Sequence, residues 1–169
     1  IQEKVGQYFY GYGDTSLMNE MFKVLKANQL TIAAAESLTG GMFQEWLTSM
    51  SGASSVLKGG VICYTNEAKV KMVNVNKETI ATYGAVSAEC AKELAENIAR
   101  SAQADIGISF TGVAGPEGLE GHEPGTVYIG ICQKGKETKV EKLQLSGTRE
   151  MVRVRAVKYG CRQVINLRG

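Results

Sequence analysis

The sequence predicts an α/β protein with three layers, in which helices cover both faces of a mixed, mostly parallel sheet of about five strands. Two observations predict this fold class. Short apolar runs alternate with amphipathic helical segments through most of the chain, as in parallel strands joined by helices. A hairpin and a final helix follow, and the hairpin adds antiparallel pairing. The 169 residues are enough for one domain with its own core.

The first half of the chain is predicted to hold four helices and two strands. Apolar residues recur every three or four positions in the helical segments and form short runs in the strands. Segment 14–16 can cap the first helix because its side-chain oxygens accept hydrogen bonds from free N–H groups, and Gly84 is expected to end the fourth. In chain order, the predicted elements are helix 17–28, strand 30–34, helix 42–50, strand 60–64, helix 66–73 and helix 77–83.

The second half is predicted to hold two longer helices and three strands. Ser87 is a favoured N-cap for a helix with one apolar face. Gly135 lies in a short polar segment between two strands, which is typical of a hairpin. In chain order, the predicted elements are a helix after Ser87, strand 105–110, an exposed loop over 117–124, strands 126–133 and 137–145, and helix 148–167.

Composition excludes several classes of protein. The formal charge of +2 is too small to indicate nucleic-acid binding. No apolar run approaches the ~20 residues of a membrane span, and no secretory pattern opens the chain. The four scattered cysteines are predicted to be small buried apolar residues in a reducing compartment, so we expect a cytoplasmic protein.

The supply of metal ligands and catalytic bases is also restricted. His122 is the only histidine, and it lies in a predicted exposed loop. Zinc sites built from cysteine and histidine are therefore absent, and so is a Ser-His-Asp triad. A metal site made only of carboxylates stays open, although no suitable cluster stands out.

Two glycine-containing turns follow predicted strands. The segment 35–41 (Ala-Glu-Ser-Leu-Thr-Gly-Gly) joins a strand to a helix and places Ser37 at the carboxyl end of that strand, where α/β sheets bind ligands. A helix N-terminus there would favour a phosphorylated substrate. The second turn, 111–115, would lie at the same edge if both strands are parallel. The alternatives are that the glycines only mark tight connections and that Ser37 only caps the helix.

A base for Ser37 would have to be something other than histidine. A lysine amine can take a proton when burial disfavours its charged form, and Lys69 is the candidate. Tyr64 is expected at the mouth of the sheet, with Lys69 one turn into the following helix. From spacing alone, a solvated helix-face lysine like Lys71 is the favoured alternative. Cys63 is the rival nucleophile, but without a histidine nearby we interpret it as a packing residue.

Arg149 falls in the expected first turn of the last helix. A cation there opposes the helix dipole by roughly a few tenths of a kcal/mol. That penalty is compatible with a role in gripping a phosphate or carboxylate, with Arg153 four residues later as a second cation. The alternative is that the helix begins later and leaves Arg149 in solvent.

Six motifs together resemble the CinA C-terminal family, in the same order, from about residue 15 to the end. They are segments 35–41 (AESLTGG), 64–69 (YTNEAK), 84–87 (GAVS), 111–116 (TGVAGP), 125–128 (GTVY) and 147–149 (GTR). This family includes nicotinamide-nucleotide amidohydrolases. The resemblance therefore implies hydrolysis of the carboxamide of nicotinamide mononucleotide to nicotinate mononucleotide and ammonia.

The resemblance also implies catalytic roles. Ser37 would be the nucleophile or would position a water, and Lys69 would be its base. Tyr64 would orient Lys69 or shuttle the proton. Backbone N–H groups near Thr39 and Gly40 would hold the oxyanion. The implied substrate-binding residues are Thr39, Gly40, Gly41, Thr111, Gly112, Ala114, Gly115 and Arg149. Which glycine turn binds the phosphate stays open.

Further expectations follow from the same resemblance. Residues 1–14 would be a linker or arm from a longer two-domain protein, and residues 15–169 the amidohydrolase domain. No cofactor, nucleic acid or membrane is expected, and the chain would form a homo-oligomer, in the first place a dimer. Two alternatives remain: a nucleotide-binding regulatory module without turnover, and a DNA-associated competence factor. The sequence does not favour the second, because it has no basic stripe with interleaved aromatic residues.

Overall fold

The computed structural model describes residues 16–168, so the expected linker over 1–14 lies outside the described residues. The described chain alternates helices and strands, as predicted. Its elements are α1 (Leu17–Ala27), β1 (Ile32–Glu36), α2 (Met42–Thr48), β2 (Leu57–Ile62), α3 (Asn66–Val73), α4 (Lys77–Tyr83), α5 (Ala88–Ala102), β3 (Ile106–Gly112), β4 (Thr126–Gln133), β5 (Lys139–Gln144) and α6 (Arg149–Ile165), with 3₁₀ turns at Ala53–Ser55 and Asn166–Arg168.

The five strands form one sheet in the order β2-β1-β3-β4-β5. Strand β1 pairs in parallel with β2 and β3, whereas β4 is antiparallel to both β3 and β5. Four of the five strands therefore point in one direction, and the predicted mixed, mostly parallel sheet is confirmed. The carboxyl ends of these four strands meet at one edge of the sheet. Consequently, the segments after β1, β2, β3 and β5 can build a common site.

Helices cover both faces of the sheet, which confirms the three layers. Alternate residues of β1 show the division: Ile32 and Ala34 pack with α1, α2 and α6, whereas Ala33 and Ala35 pack with α3 and α5. The predicted caps at Ser16 and Ser87 accept hydrogen bonds from the helix starts. None of the helices within residues 16–168 has the length and apolar character that crossing a membrane requires.

The largest difference from the predicted elements is strand β2. It spans Leu57–Ile62 and begins three residues earlier than expected, because Gly59 and Gly60 conceal its start in the sequence. A Cβ atom at Gly60 would lie 2.3 Å from the Ala34 carbonyl oxygen and 2.6 Å from Gln44 Oε1. Glycine is therefore required where α2 approaches the sheet. Strand β3 is also longer than predicted and ends at Gly112.

A carboxylate fixes the opposite end of the parallel strands. Asp105 Oδ2 accepts hydrogen bonds from the backbone N–H and the hydroxyl of Thr31, both at 2.8 Å. Thr31 Oγ1 in turn accepts from Asp105 N–H at 3.1 Å. These bonds lower the pKa of Asp105 below its usual value. They join the starts of β1 and β3, whose register aligns the site residues at the other edge.

We predict that Asp105→Asn lowers the free energy of unfolding by about 1 kcal/mol at pH 7, because the amide accepts weaker hydrogen bonds than the carboxylate. The folded-state pKa is depressed, so this stabilisation is present above the unfolded pKa of about 4. It is lost as the pH falls through the lower folded-state pKa. Urea unfolding at several pH values from 7 to 3 measures the difference in the free energy of unfolding between the unmodified chain and Asp105→Asn. A difference that stays constant over this range would contradict the account.

Candidate active site

A pocket of about 460 Å³ opens at the carboxyl edge of the sheet. This volume is within the range of small-molecule sites. Its walls come from the segments after β1 and β2, the loop before α5, the end of β3 with the loop beyond it, and the start of α6. The lining residues are Ser37, Leu38, Tyr64, Asn66, Lys69, Ala85, Val86, Arg149 and the run 111–119. Both a nucleophile candidate and a base candidate therefore face one cavity.

Ser37 and Lys69 are in direct contact at the base of this pocket. Lys69 Nζ lies 3.0 Å from Ser37 Oγ and donates to the Cys63 carbonyl oxygen at 3.0 Å. Both side chains are buried, with 7% of Ser37 and 2% of Lys69 exposed. The interpretation of Lys69 as a solvated lysine, favoured by spacing alone, is therefore wrong. Thr65 caps α3, and the amine of Lys69 in this helix is directed to Ser37, the residue after β1.

The lysine has only neutral hydrogen-bond partners. Ion pairs among residues 16–168 join Lys23 to Glu20 and Lys71 to Glu67, and none involves Lys69. Its ammonium or amine group instead contacts a hydroxyl and a backbone carbonyl. A hydroxyl beside a buried amine is the arrangement in which an amine can remove the hydroxyl proton. The geometry is therefore suited to nucleophilic chemistry at Ser37.

Glu36 occupies the N-terminus of α2. Its carboxylate is fully buried and accepts from the backbone N–H groups of Gly41 (3.0 Å), Phe43 (3.1 Å) and Gln44 (3.0 Å). It also accepts from the side-chain amide of Gln44 at 3.0 Å. The negative charge favoured by the helix dipole is thus supplied by the chain itself. This contradicts the expectation that the N-terminus of this helix binds a substrate anion.

Thr39, Gly40 and Gly41 do not line the pocket, so their role in substrate binding stays a prediction. Thr39 is fully buried, and Gly40 N–H donates to the Ser37 carbonyl at 3.0 Å. Gly41 is the N-cap of α2, so Ser37 is not the capping residue. Within the described part of the chain, no acceptor is bonded to Leu38 N–H. Leu38 directly follows Ser37 in the chain, which makes its N–H group a candidate oxyanion donor.

The second glycine turn does lie at the pocket, where Thr111, Gly112, Ala114 and Gly115 form part of the wall. Thr111 Oγ1 donates to the Ala85 carbonyl at 2.7 Å, which fixes the loop before α5 against β3. A Cβ atom at Gly112 would lie 2.5 Å from the Thr126 carbonyl oxygen. Only glycine fits there without a shift of β4. The structure thus brings these four predicted residues to the same cavity as Ser37.

Arg149 is the first residue of α6, directly after the N-cap Thr148. Its Nη1 donates to the Gly115 carbonyl at 2.8 Å and its Nη2 to the Tyr64 hydroxyl at 2.9 Å. Although Arg149 is largely exposed, its guanidinium thus joins three walls of the pocket. A guanidinium has five N–H donors, so donors remain for an anionic group.

The contacts of Tyr64 and Arg153 differ from those that the sequence predicts. The hydroxyl of Tyr64 bonds to Arg149 and not to Lys69, which is oriented by the Cys63 carbonyl instead. The sequence predicts Arg153 as a second cation that binds the phosphate or carboxylate of the substrate. Arg153 does not line the pocket, and it donates to the carbonyl oxygens of Leu38 (2.9 Å) and Thr39 (3.1 Å).

Sequence reasoning missed several residues of the pocket wall. Asn66 lies at the first position of α3, and Glu117 and Leu119 lie in the loop after β3. Ala85 and Val86 are buried wall residues before α5. A signal existed for Asn66, Ala85 and Val86, because they belong to the motifs 64–69 and 84–87. Glu117 and Leu119 lie in a stretch interpreted only as an exposed loop.

The remaining candidate groups do not contribute a second centre. Burial raises the pKa of the Cys63 thiol, and burial raises the pKa values of Cys90 and Cys161 to about 12. Cys132 is only half-buried, unlike the expectation for all four cysteines. The His122 ring packs edge-on against Tyr128, with centroids 6.2 Å apart. Residues 16–168 contain no group of three or more His, Cys, Asp or Glu placed to hold a metal ion.

Comparison with known proteins gives one consistent family. The family model for the CinA C-terminal domain matches residues 14–167. The chain is 53% identical over 167 residues to a competence-damage inducible protein of Bacillus subtilis (strain 168), covering 99% of this chain and 40% of that protein. It is 55% identical over 161 residues to the same kind of protein from Geobacillus sp. (strain WCH70), covering 95% and 39%. The chain thus spans about 40% of the length of these relatives.

Solved structures show the same fold. A CinA superfamily protein from Escherichia coli matches with a TM-score of 0.86 and 30% identity, over 96% of this chain and 98% of that chain. A competence/damage inducible protein from Agrobacterium tumefaciens matches with a TM-score of 0.86 and 29% identity, over 90% and 94%.

We predict that Glu36→Gln lowers the free energy of unfolding by about 2–4 kcal/mol, because an amide N–H₂ group would face buried N–H donors. Urea unfolding at pH 7 measures the change. The control is Glu45→Gln, an exposed residue of the same helix, which should change stability by less than about 0.5 kcal/mol. Equal effects of the two substitutions would show that the Glu36 carboxylate does not hold the turn.

Proposed function

The chain belongs to the CinA C-terminal domain family, and we propose that it hydrolyses the carboxamide of nicotinamide mononucleotide to nicotinate mononucleotide and ammonia. The substrate is the one implied by the family resemblance. The observation that carries the proposed reaction is the buried contact between Lys69 Nζ and Ser37 Oγ at 3.0 Å. The reaction class is acyl transfer to a serine followed by hydrolysis.

The first half of the proposed reaction forms an ester. Ser37 Oγ attacks the carboxamide carbon while the uncharged amine of Lys69 takes the serine proton. The oxygen of the tetrahedral intermediate accepts from Leu38 N–H, the free donor beside the nucleophile. The carbon–nitrogen bond then breaks. The leaving nitrogen takes the proton back from Lys69 and departs as ammonia.

The second half restores the enzyme. A water molecule attacks the ester carbon and gives a proton to Lys69. The bond from the carbon to Ser37 Oγ breaks, and Lys69 returns the proton to that oxygen. The product is the free carboxylic acid, and Ser37 and Lys69 end in their starting forms. The Cys63 carbonyl supports both halves because it holds the Lys69 amine at a fixed distance from Ser37.

The phosphate of the nucleotide is assigned to the second glycine turn and Arg149. Glu36 already fills the N-terminus of α2, so this helix start offers no free site for the phosphate. Arg149 has unused N–H donors at the pocket, and charge-assisted bonds to phosphate are strong. Tyr64 then serves as a pocket wall tied to Arg149, with Thr111, Gly112, Ala114 and Gly115 around the ribose and phosphate.

An enzyme explains the buried lysine better than a regulatory binding module does. Burying an amine without a carboxylate partner costs free energy. A binding module requires the pocket wall and Arg149 but does not require Lys69 in contact with Ser37.

For assembly and location, we propose a cytoplasmic homodimer that uses no cofactor. Ile62 on edge strand β2 and Met72 on α3 are exposed apolar side chains available to a second copy, and sedimentation equilibrium measures the oligomeric state.

We predict that Lys69→Met lowers ammonia release from nicotinamide mononucleotide by about 10³-fold or more, because the base is removed while its apolar stem is kept. Binding of the nucleotide, measured by calorimetry, should change by less than about threefold. Lys71→Met is the matched control, since Lys71 is an exposed residue of the same helix and should keep full activity. Turnover retained in Lys69→Met would contradict the proposed centre. Loss of the native circular-dichroism spectrum in Lys69→Met would instead assign Lys69 a structural role.

Arg149→Ala is expected to raise KM by roughly 10- to 100-fold and to change kcat by only a few-fold. The reason is that phosphate contacts are shared by the ground state and the transition state. Steady-state kinetics of ammonia release gives both constants. Lys158→Ala, on the exposed side of α6, is the control and should leave KM unchanged. A lower kcat with an unchanged KM would remove Arg149 from the phosphate site.

A further inference from the structure

Arg153 makes an unusual pair of contacts outside the pocket. From α6 it donates Nε to the Leu38 carbonyl at 2.9 Å and Nη2 to the Thr39 carbonyl at 3.1 Å. The Thr39 carbonyl also accepts from Met42 N–H at 3.0 Å. Among the described residues, Arg153 forms no ion pair. Both of these hydrogen bonds of the permanently charged Arg153 guanidinium therefore go to the turn that carries Ser37.

The bonds of this turn form a chain that ends at Ser37. Arg153 polarises the Thr39 carbonyl, and the same peptide unit presents Gly40 N–H, which donates to the Ser37 carbonyl at 3.0 Å. The Ser37 carbonyl belongs in turn to the peptide unit whose N–H is that of Leu38. Because C=O and N–H point in opposite directions across a trans peptide, each bond strengthens the next donor. The last donor of the chain is the free N–H of Leu38.

We propose that Arg153 is a positioning residue for catalysis, which fixes the turn 37–40 and strengthens the Leu38 N–H group as the oxyanion donor. This inference rests on the amide hydrolysis proposed above. Glu36 holds the far side of the same turn through Gly41 N–H. Arg153 thus anchors the carbonyl side and Glu36 the N–H side. The charge of Arg153 acts where negative charge develops on the substrate, without contact to the substrate.

This role predicts a kinetic signature that differs from that of Arg149. An oxyanion donor acts on the transition state, so its weakening lowers kcat and leaves KM nearly unchanged. Arg153→Met keeps the length of the side chain and removes both donors. We expect its kcat for ammonia release to fall about 10- to 100-fold, with KM within about threefold. Arg153→Lys keeps the charge but has a single ammonium group for two carbonyls. Its kcat is expected to lie between those of Arg153→Met and the unmodified chain.

The matched control is Arg155→Met on the same helix. Arg155 also donates to a backbone carbonyl, that of Ser146, but on the loop before α6 and away from Ser37. Its kcat and KM should equal those of the unmodified chain. A raised KM in Arg153→Met, or an unchanged kcat, would overturn the proposal. If Arg153→Met shows no cooperative thermal unfolding transition, the kcat and KM of Arg153→Lys decide by the same criteria.

A second measurement separates this inference from the choice of substrate. Phenylmethylsulfonyl fluoride sulfonylates activated serines, and mass spectrometry of the peptide with Ser37 gives the labelling rate. The unmodified chain and Arg155→Met should label at equal rates, and Arg153→Met at least about tenfold more slowly. If the chain is labelled but releases no ammonia, the proposed substrate fails and the labelling rates still decide the role of Arg153. If it neither labels nor turns over, both proposals are overturned.

Discussion

The Glu36 carboxylate at the N-terminus of α2 is the interaction on which the site depends. It neutralises the free N–H groups of a helix start in a place where water is excluded. Because Glu36 is the last residue of β1, its hydrogen bonds to the start of α2 fix the angle between strand and helix. Ser37 follows directly and is turned toward Lys69. A buried charge that accepts four hydrogen bonds thus sets the direction of an adjacent nucleophile.

The distribution of charge around the turn follows from this constraint. The negative end is internal, since Glu36 is fully buried, and the cations Arg149 and Arg153 come from the first turns of α6. Arg153 acts on the backbone, whereas Arg149 spans the mouth of the pocket between Tyr64 and Gly115. The two arginines lie four residues apart on one helix, yet they have different partners. Position along α6 thus separates a cation that binds the backbone from one that keeps N–H donors at the pocket.

Much of the fold could be predicted because local signals and tertiary packing agree. Helices α3 and α4 and strand β4 have the predicted bounds, since capping residues and apolar spacing mark them clearly. The start of strand β2 could not be predicted correctly, because the reason for its glycines is the close approach of Gln44 from α2. The meeting of Ser37 with the second turn followed from strand direction. The partners of Glu36 and Arg153 did not, since hydrogen bonds to the backbone leave no spacing pattern in a sequence.

The most direct test of the Ser37–Lys69 centre is to trap the ester that it is proposed to form. The chain is mixed with nicotinamide mononucleotide, quenched in acid within milliseconds, and digested for mass spectrometry. The account predicts a mass increase on the peptide with Ser37 equal to the acyl group of the nucleotide, and neither adduct nor ammonia from Ser37→Ala. Undiminished ammonia release from Ser37→Ala would contradict it, because the carboxamide would then be hydrolysed without this serine.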